Sequence, residues 1–222
     1  MRIVAFIPIR LNSKRLPGKN LMLMDGRPLC DYVFSTICDV DLIDEKYVFC
    51  SDESLKQHMP DKLIFLKRDK HLDGDDVRGL EIIDSFVKQV DADMYILAHT
   101  TSPFTKKESF ENAIKHILEN DYDSAFSARK LQGYCWYEGS PVNYTPDDIV
   151  QTQLLKPVFL ETGGFFVFKK EVFTDLGRRI GNNPYCYVTD EFESIEIDTK
   201  SEFDFAESAA KYLREKEIER NK

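Results

Sequence analysis

The sequence predicts an α/β protein of three layers, α/β/α, with helices on both faces of a mostly parallel central sheet. Strand-length apolar runs recur along the chain with helically spaced segments between them, the alternation of an α/β fold rather than of a sandwich. The first run, residues 3–9, is apolar almost without a break, as a central strand covered on both faces requires. The 222 residues, 42% of them hydrophobic, suffice to bury one substantial core but not three, so a single domain over residues 1–222 is expected.

After a polar loop, residues 28–40 place Leu29, Val33 and Ile37 at helical spacing, and residues 46–50 read as a second strand. A short helix from Glu53 leads to a third strand at 63–66. A helix over 78–90 aligns Leu80, Ile83 and Val87, and residues 94–98 make the fourth strand. The helix over 106–119 turns Phe110, Ala113, Ile114 and Ile117 inward, and residues 123–128 form strand five. Between 130 and 160 the alternation stops. Two extended pieces joined by Glu138-Gly139-Ser140-Pro141 predict a hairpin or protruding arm. Its aromatic residues Tyr134, Trp136, Tyr137 and Tyr144 suit a partner surface or a small satellite core equally. A strand at 164–168, a short helix after Lys170, an extended segment over 192–197 and an amphipathic helix over 203–213 complete the chain. Residues 214–222 carry alternating charges and read as a solvated helix end.

The net charge of −9, from 39 acidic against 30 basic residues, argues against nucleic acid or an anionic membrane surface as a partner. No apolar run approaches the roughly 18–20 residues of a membrane span. Residues 1–8 lack the pattern of a signal peptide. The five cysteines, Cys30, Cys38, Cys50, Cys135 and Cys186, include no C-x-x-C pair, which fits reduced thiols in the cytoplasm.

The loop after the first strand runs against the overall charge. Arg10, Lys14, Arg15 and Lys19 lie within ten residues, at the carboxyl end of a strand, where open α/β sheets place ligands. Asn12, Ser13 and Asn20 add neutral donors, and Gly18 permits close backbone approach. The stretch is a polyanion site candidate that contains neither a Walker loop nor a dinucleotide fingerprint. Near the other end, Glu196 and Asp198 alternate with Ile195 and Ile197. On a strand this puts both carboxylates on one face, an arrangement suited to Mg²⁺; a half-exposed edge strand with polar residues outward explains it equally well. Asp52, Asp75 and Asp76 each fit a helix cap or turn as readily as a ligand contact.

The loop Ile7-Pro8-Ile9-Arg10…Ser13-Lys14…Pro17…Lys19-Asn20 resembles I-P-A-R-x-x-S-K-x-x-P-x-K-N, the signature of the acylneuraminate cytidylyltransferases, which activate acidic sugars. Later segments are similar in order: Cys50-Ser51-Asp52; Arg68 with the acidic loop through Asp76; Thr101-Ser102-Pro103; and Ser194-Ile195-Glu196-Ile197-Asp198-Thr199. The resemblance spans about residues 3–213 and implies a Rossmann-like, GT-A-like nucleotidyltransferase fold. It implies an enzyme that joins CTP to an acidic sugar, forming a CMP-sugar and releasing pyrophosphate. Arg10, Lys19 and Asp198 would be catalytic. Arg10, Asn12, Ser13, Lys14, Lys19, Asn20, Arg68 and Asp75 would bind the nucleotide, with Arg68 reading the cytosine. His99, Thr101, Ser102, Glu161 and Thr162 would meet the sugar, and Glu196 and Asp198 would hold Mg²⁺. The 130–160 arm would form a homodimer.

Two positions depart from the sialic-acid members. His99 replaces a glutamine, and Leu160-Glu161-Thr162-Gly163 stands where R-P-N-G supplies the arginine for the sugar carboxylate. An arginine fork is not replaceable by leucine or glutamate. Either another cation, such as Arg129, Lys130 or Lys156, serves instead, or the acceptor differs, a phosphorylated sugar or alcohol being the alternative; a non-catalytic nucleotide-binding homologue is a further one.

Overall fold

The computed structural model describes residues 1–220. The strands are β1 (Ile3–Ile9), β2 (Leu23–Met24), β3 (Arg27–Pro28), β4 (Glu45–Cys50), β5 (Ile64–Lys67), β6 (Met94–Ala98), β7 (Ser124–Leu131), β8 (Trp136–Tyr137), β9 (Ser140–Pro141), β10 (Val158–Lys169) and β11 (Pro184–Thr189). The helices are α1 (Leu29–Asp39), α2 (Gly79–Val87), α3 (Lys107–Glu119), α4 (Lys170–Leu176) and α5 (Lys200–Arg220).

Seven strands form the central sheet in the order β11-β7-β10-β6-β1-β4-β5. β1 pairs parallel with β4 and β6, β4 with β5, and β11 with β7, whereas β10 runs antiparallel to both of its neighbours. The expected mostly parallel sheet is thus observed, and the burial of β1 on both faces explains its unbroken apolar run. Phe34 and Ile37 of α1 and Phe110 and Ile114 of α3 cover one face, over Ala5, Ile7 and Ile96. Phe86 of α2 and Val172 of α4 cover the other, where Phe86 stacks on Phe6 with ring centroids 4.2 Å apart. Leu80, in the first turn of α2, is exposed rather than inward.

A third cluster joins Leu16, Met24, Leu29, Ile197, Phe203, Ala206 and Ala210. It fastens the loop after β1 and the segment before α5 to the same helix. The β2–β3 hairpin that carries Met24 turns through Asp25 and Gly26 at φ 47° and 83°, the two left-handed positions of a type I′ turn.

The expected extended segment over 192–197 is not a strand. Asp190 accepts from the backbone N–H of Glu193 at 2.9 Å, and the Ser194 N–H reaches Asp190 O, so the chain turns there. The alternating isoleucines pack against α5 and its neighbours instead of lining a sheet. The strand of this region is β11, which starts on Pro184, tolerated as the first residue of an edge strand. The Asp123 carboxylate pins its approach by accepting from the N–H groups of Asn182 and Asn183 at 2.7 and 3.0 Å.

The arm is partly as expected. Its ends belong to β7 and β10, and its tip is the β8–β9 hairpin, turning at Glu138 and Gly139 with φ 48° and 79°. Trp136, Tyr137, Ile149 and Leu154 are exposed there. The last helix, α5, extends past the expected 213, and Arg214 pairs with Asp25 at 2.6 Å; of the expected solvated end, residues 221–222 lie outside the described residues.

Candidate active site

At the carboxyl end of β1 the chain leaves the sheet and cannot continue as strand through Pro17 and Gly18. Gly18, at φ 68°, starts the single helical turn Lys19–Leu21, which drives Lys19 and Asn20 inward. The Asn20 amide donates to Arg10 O at 2.9 Å and accepts from the Thr100 hydroxyl at 2.6 Å, tying both ends of the loop to the end of β6. Its amide thus holds the loop in place while Asn20 itself still lines the cleft, and Thr100, absent from the sequence reading, is the partner that fixes it.

Lys19 is buried. Its ammonium donates to Ile197 O at 2.6 Å and to Asp198 Oδ1 at 3.0 Å. Asp198 also takes Arg15, at 2.9 Å on the same oxygen. It is delivered by the start of α5, where Thr199 and Glu202 form a capping box: the Glu202 carboxylate accepts the N–H groups of Asp198 and Thr199, each at 2.8 Å. The T-x-x-E spacing is a local signal that the sequence reading did not use.

Arg10, Ser13, Lys14, Arg15, Lys19, His99, Thr101 and Asp198 together line a cleft of about 210 Å³. On the far side of Arg10 and His99 a second chamber reaches Arg68, Leu72 and Val77. Asn12 lines a third, with Ser51 and Asp73. Arg68 is buried, donates to Ile9 O at 3.1 Å and pairs with Asp73, which also accepts from Ser51. Its Nε–H has no partner among the described residues, an unsatisfied buried donor at the floor of the crevice. Asp73 is a positioning residue that the sequence reading missed.

Asp75 holds Arg10 at 3.2 Å and Lys14 at 2.5 Å, so it reaches the crevice through the loop cations. Lys14 beside it keeps its carboxyl below the ordinary range. Asp52 caps the turn that follows β4, accepting from Ser54 N at 2.9 Å.

The sugar-contact candidates divide. His99 and Thr101 line the cleft. Ser102 is fully buried with its hydroxyl unpartnered among the described residues, and Thr162 is buried against Ser127, so neither is brought to the wall. Glu161 pairs with Arg179, which lies over the Phe166 ring at 3.6 Å. The irregular stretch of β10 between Glu161 and Phe166 causes this scatter by breaking the strand's alternation.

Gly163 connects two site residues. Its N–H donates to Glu196 Oε1 at 2.7 Å and its carbonyl accepts from His99 Nδ1 at 2.7 Å. A Cβ at Gly163 would stand 2.1 Å from Glu196 Oε1, so a larger residue there would push the carboxylate away from its Gly163 N–H. Because the carbonyl can only accept, Nδ1 carries the proton and Nε2 is left as an acceptor. Burial drives the His99 pKa down to about 4. The unfolded ring takes a proton near pH 6.5, so between these values the unfolded chain binds more protons. This contribution to stability is complete above about pH 6.5 and is lost as the pH falls toward 4. His99→Gln, which keeps a donor for Gly163, is expected to flatten that loss in thermal melts taken across the window; an unchanged slope would clear His99 of it.

Glu196 and Asp198 lie close enough for the Asp198 charge to help raise the Glu196 pKa, though burial is the larger cause. Each commits one oxygen to protein, Oε1 to Gly163 and Oδ1 to the two cations, and leaves the other without a side-chain partner among the described residues. Two such carboxylates suit Mg²⁺, which takes few protein oxygens and fills its octahedron from water and phosphate. The described residues contain no group of three His, Cys, Asp or Glu side chains that would hold a metal by themselves.

Among the described residues, no helix is long and apolar enough to cross a membrane. N-acylneuraminate cytidylyltransferase of Streptococcus agalactiae serotype V is 22% identical over 214 residues, 91% of this chain and 52% of that protein. N-acylneuraminate cytidylyltransferase A of Danio rerio is 26% identical over 215 residues, 92% and 50%. The chain therefore spans about half the length of these relatives. The structure of CMP:2-keto-3-deoxy-manno-octonic acid synthetase complexed with CTP shares the fold, with a TM-score of 0.73 at 16% identity over 96% of this chain and 100% of that one. A model described as Cytidylyltransferase matches residues 4–172. That match begins in β1, takes in the cationic loop, Arg68 and the His99–Thr101 wall and ends in α4, ahead of Glu196 and Asp198, and by it the chain belongs to the cytidylyltransferase family.

Proposed function

We propose that the protein transfers the cytidylyl group of CTP to a hydroxyl of an acidic sugar, a nonulosonic or ulosonic acid such as an N-acylneuraminate, releasing pyrophosphate. The observation that carries this reading is the buried Lys19 ammonium paired with Asp198 beneath a mouth of three further cations. The sugar oxygen attacks the α-phosphorus, the bond to the β-phosphate oxygen breaks, and pyrophosphate leaves. Arg10, Lys14, Arg15 and Lys19 hold the triphosphate, and Arg10 and Lys19 offset the charge that develops as the phosphate is attacked. Glu196 and Asp198 would hold Mg²⁺, which when bound neutralises phosphate oxygens. Neutral His99 offers Nε2 as an acceptor for a sugar hydroxyl.

Pyrophosphate release from CTP and Mg²⁺ is the test, with N-acylneuraminate, 3-deoxy-manno-octulosonate and phosphorylated sugars as acceptors. Turnover with an acid supports the reading. Turnover with phosphorylated acceptors alone replaces it, and CTP binding without any turnover leaves a nucleotide-binding homologue. Arg68→Ala is expected to weaken CTP binding at least about tenfold by calorimetry, because a hydrogen bond from a charged group is worth about 1.5–3 kcal/mol; equal affinity would place base recognition elsewhere. The exposed aromatics of the arm support a homodimer through that surface. Trp136→Lys should shift the mass in sedimentation toward the monomer.

A further inference from the structure

Between Glu161, which faces Ala128, and Phe166, which faces Phe126, β10 runs through four residues where β7 has one. That one is Ser127, which is fully buried. The usual bulge sets two residues against one, so this stretch leaves more backbone polar groups without a ladder partner, and such groups are costly when buried. The Ser127 side chain supplies a partner. Its oxygen accepts from the Phe165 N–H at 3.0 Å and from the Thr162 hydroxyl at 2.9 Å, and its proton is shared between Thr162 O at 3.2 Å and Phe165 O at 3.3 Å. One donor and two acceptor lone pairs are the whole capacity of a hydroxyl, so Ser127 fastens both ends of the bulge at once.

Between the two fastened residues lie Gly163 and Gly164. Gly164 passes close over the hydroxyl: a Cβ there would stand 3.0 Å from Ser127 Oγ and 3.2 Å from Thr105 Oγ1. Gly163 turns its N–H to Glu196 Oε1 and its carbonyl to His99 Nδ1, each at 2.7 Å. Both backbone groups of Gly163 thus serve side chains of the site and not a strand. Where they point depends on the bulge, and the bulge is held to β7 by a single side chain.

We propose that Ser127 is a positioning residue for the transfer: its hydroxyl holds the bulge, the bulge sets Gly163, and Gly163 sets both the His99 ring and the Glu196 carboxylate. Being fully buried, Ser127 itself touches no substrate. The assignment rests on the proposed cytidylyl transfer, but its first link, from Ser127 to the His99 ring, exists without substrate. While the Gly163 carbonyl stays in place, the ring proton is held on Nδ1 and Nε2 is left to accept.

The test reads the His99 ring by nitrogen NMR with neither nucleotide nor metal present, and turnover separately. His99→Gln, which lacks the ring, assigns the signal. In the unmodified protein His99 is expected as the Nδ1–H tautomer. In Ser127→Ala nothing remains to bond the Phe165 N–H and the Thr162 hydroxyl, and the ring is expected to divide between its two tautomers. Its kcat is expected to fall about thirtyfold to a hundredfold with KM for CTP within about threefold, the scale of a displacement of about 1 Å at a reacting centre. The split follows because Arg10, Lys14, Arg15 and Lys19 stand on the loop after β1 and not on β10. A merely structural hydroxyl would lower the melting temperature while leaving the tautomer, and kcat measured well below that temperature, as they were. Should Ser127→Ala not fold, Thr162→Val removes one bond of the hydroxyl and keeps that to the Phe165 N–H. It is expected to shift the tautomer in the same direction and to lower kcat about fivefold, the scale of one neutral hydrogen bond. An Nε2–H tautomer in the unmodified protein overturns the assignment, as does, in the folded variant, either an unchanged tautomer or a kcat within about twofold. No turnover by the unmodified protein with any acceptor overturns the proposed function instead, while the tautomers still decide whether Ser127 sets His99.

Discussion

Lys19→Met is expected to lower turnover by about two to three orders of magnitude, the usual cost of removing one preorganised donor from a site of developing charge. The side chain is 7% exposed and its ammonium makes two short contacts, to Ile197 O and Asp198 Oδ1. Methionine preserves the volume and removes the charge, so the loss reports electrostatics rather than a cavity. Stability should also fall, since each hydrogen bond to a charged group contributes about 1.5–3 kcal/mol. Asp198 keeps Arg15, which limits the damage. Pyrophosphate-release kinetics and thermal melts separate the two effects. Turnover within tenfold of the unmodified enzyme would remove Lys19 from the catalytic set.

Asp198→Asn is expected to reduce Mg²⁺-dependent turnover by about a thousandfold or more, an effect on the scale of losing a whole charge-stabilising group. Asparagine is isosteric and its carbonyl can still accept from Lys19, so the fold should persist, with a melting temperature within a few degrees. What it lacks is the negative charge that both a divalent cation and the Lys19–Arg15 pair require. Because Lys19 and Asp198 act as a unit, the double variant should be far less impaired than the product of the single losses. Unaltered activity in Asp198→Asn at ordinary Mg²⁺ concentrations would sink the metal assignment.

Much of the sheet was legible because periodicity reports burial. The unbroken run of β1 and the inward stripe of α3 can be satisfied in few ways. The segment around Glu196 was not, because Ile195 and Ile197 alternate for a reason that sequence periodicity does not distinguish: they pack on α5 and not on a sheet. Ser102, Thr162 and Glu161 share this limit. Their motif positions drew them toward the sugar, while the break in β10 buries Thr162 on Ser127 and turns Glu161 to Arg179. The β2–β3 turn and the capping box at Thr199 are local signals that the sequence reading left unused.

The sequence by itself determined the α/β alternation, the cationic loop that closes β1 and the identity of the groups proposed to bind a nucleoside triphosphate. Those properties depend on residue type and short-range spacing. Only the tertiary structure decided which of these groups meet: that Lys19 reaches Asp198 across 179 positions, that Asp73 and not Asp75 holds Arg68, and that Arg129 faces Leu160 across a strand pair. Contacts so distant along the chain depend on strand register and on the packing of α5, and neither leaves a local mark on the residues that they join.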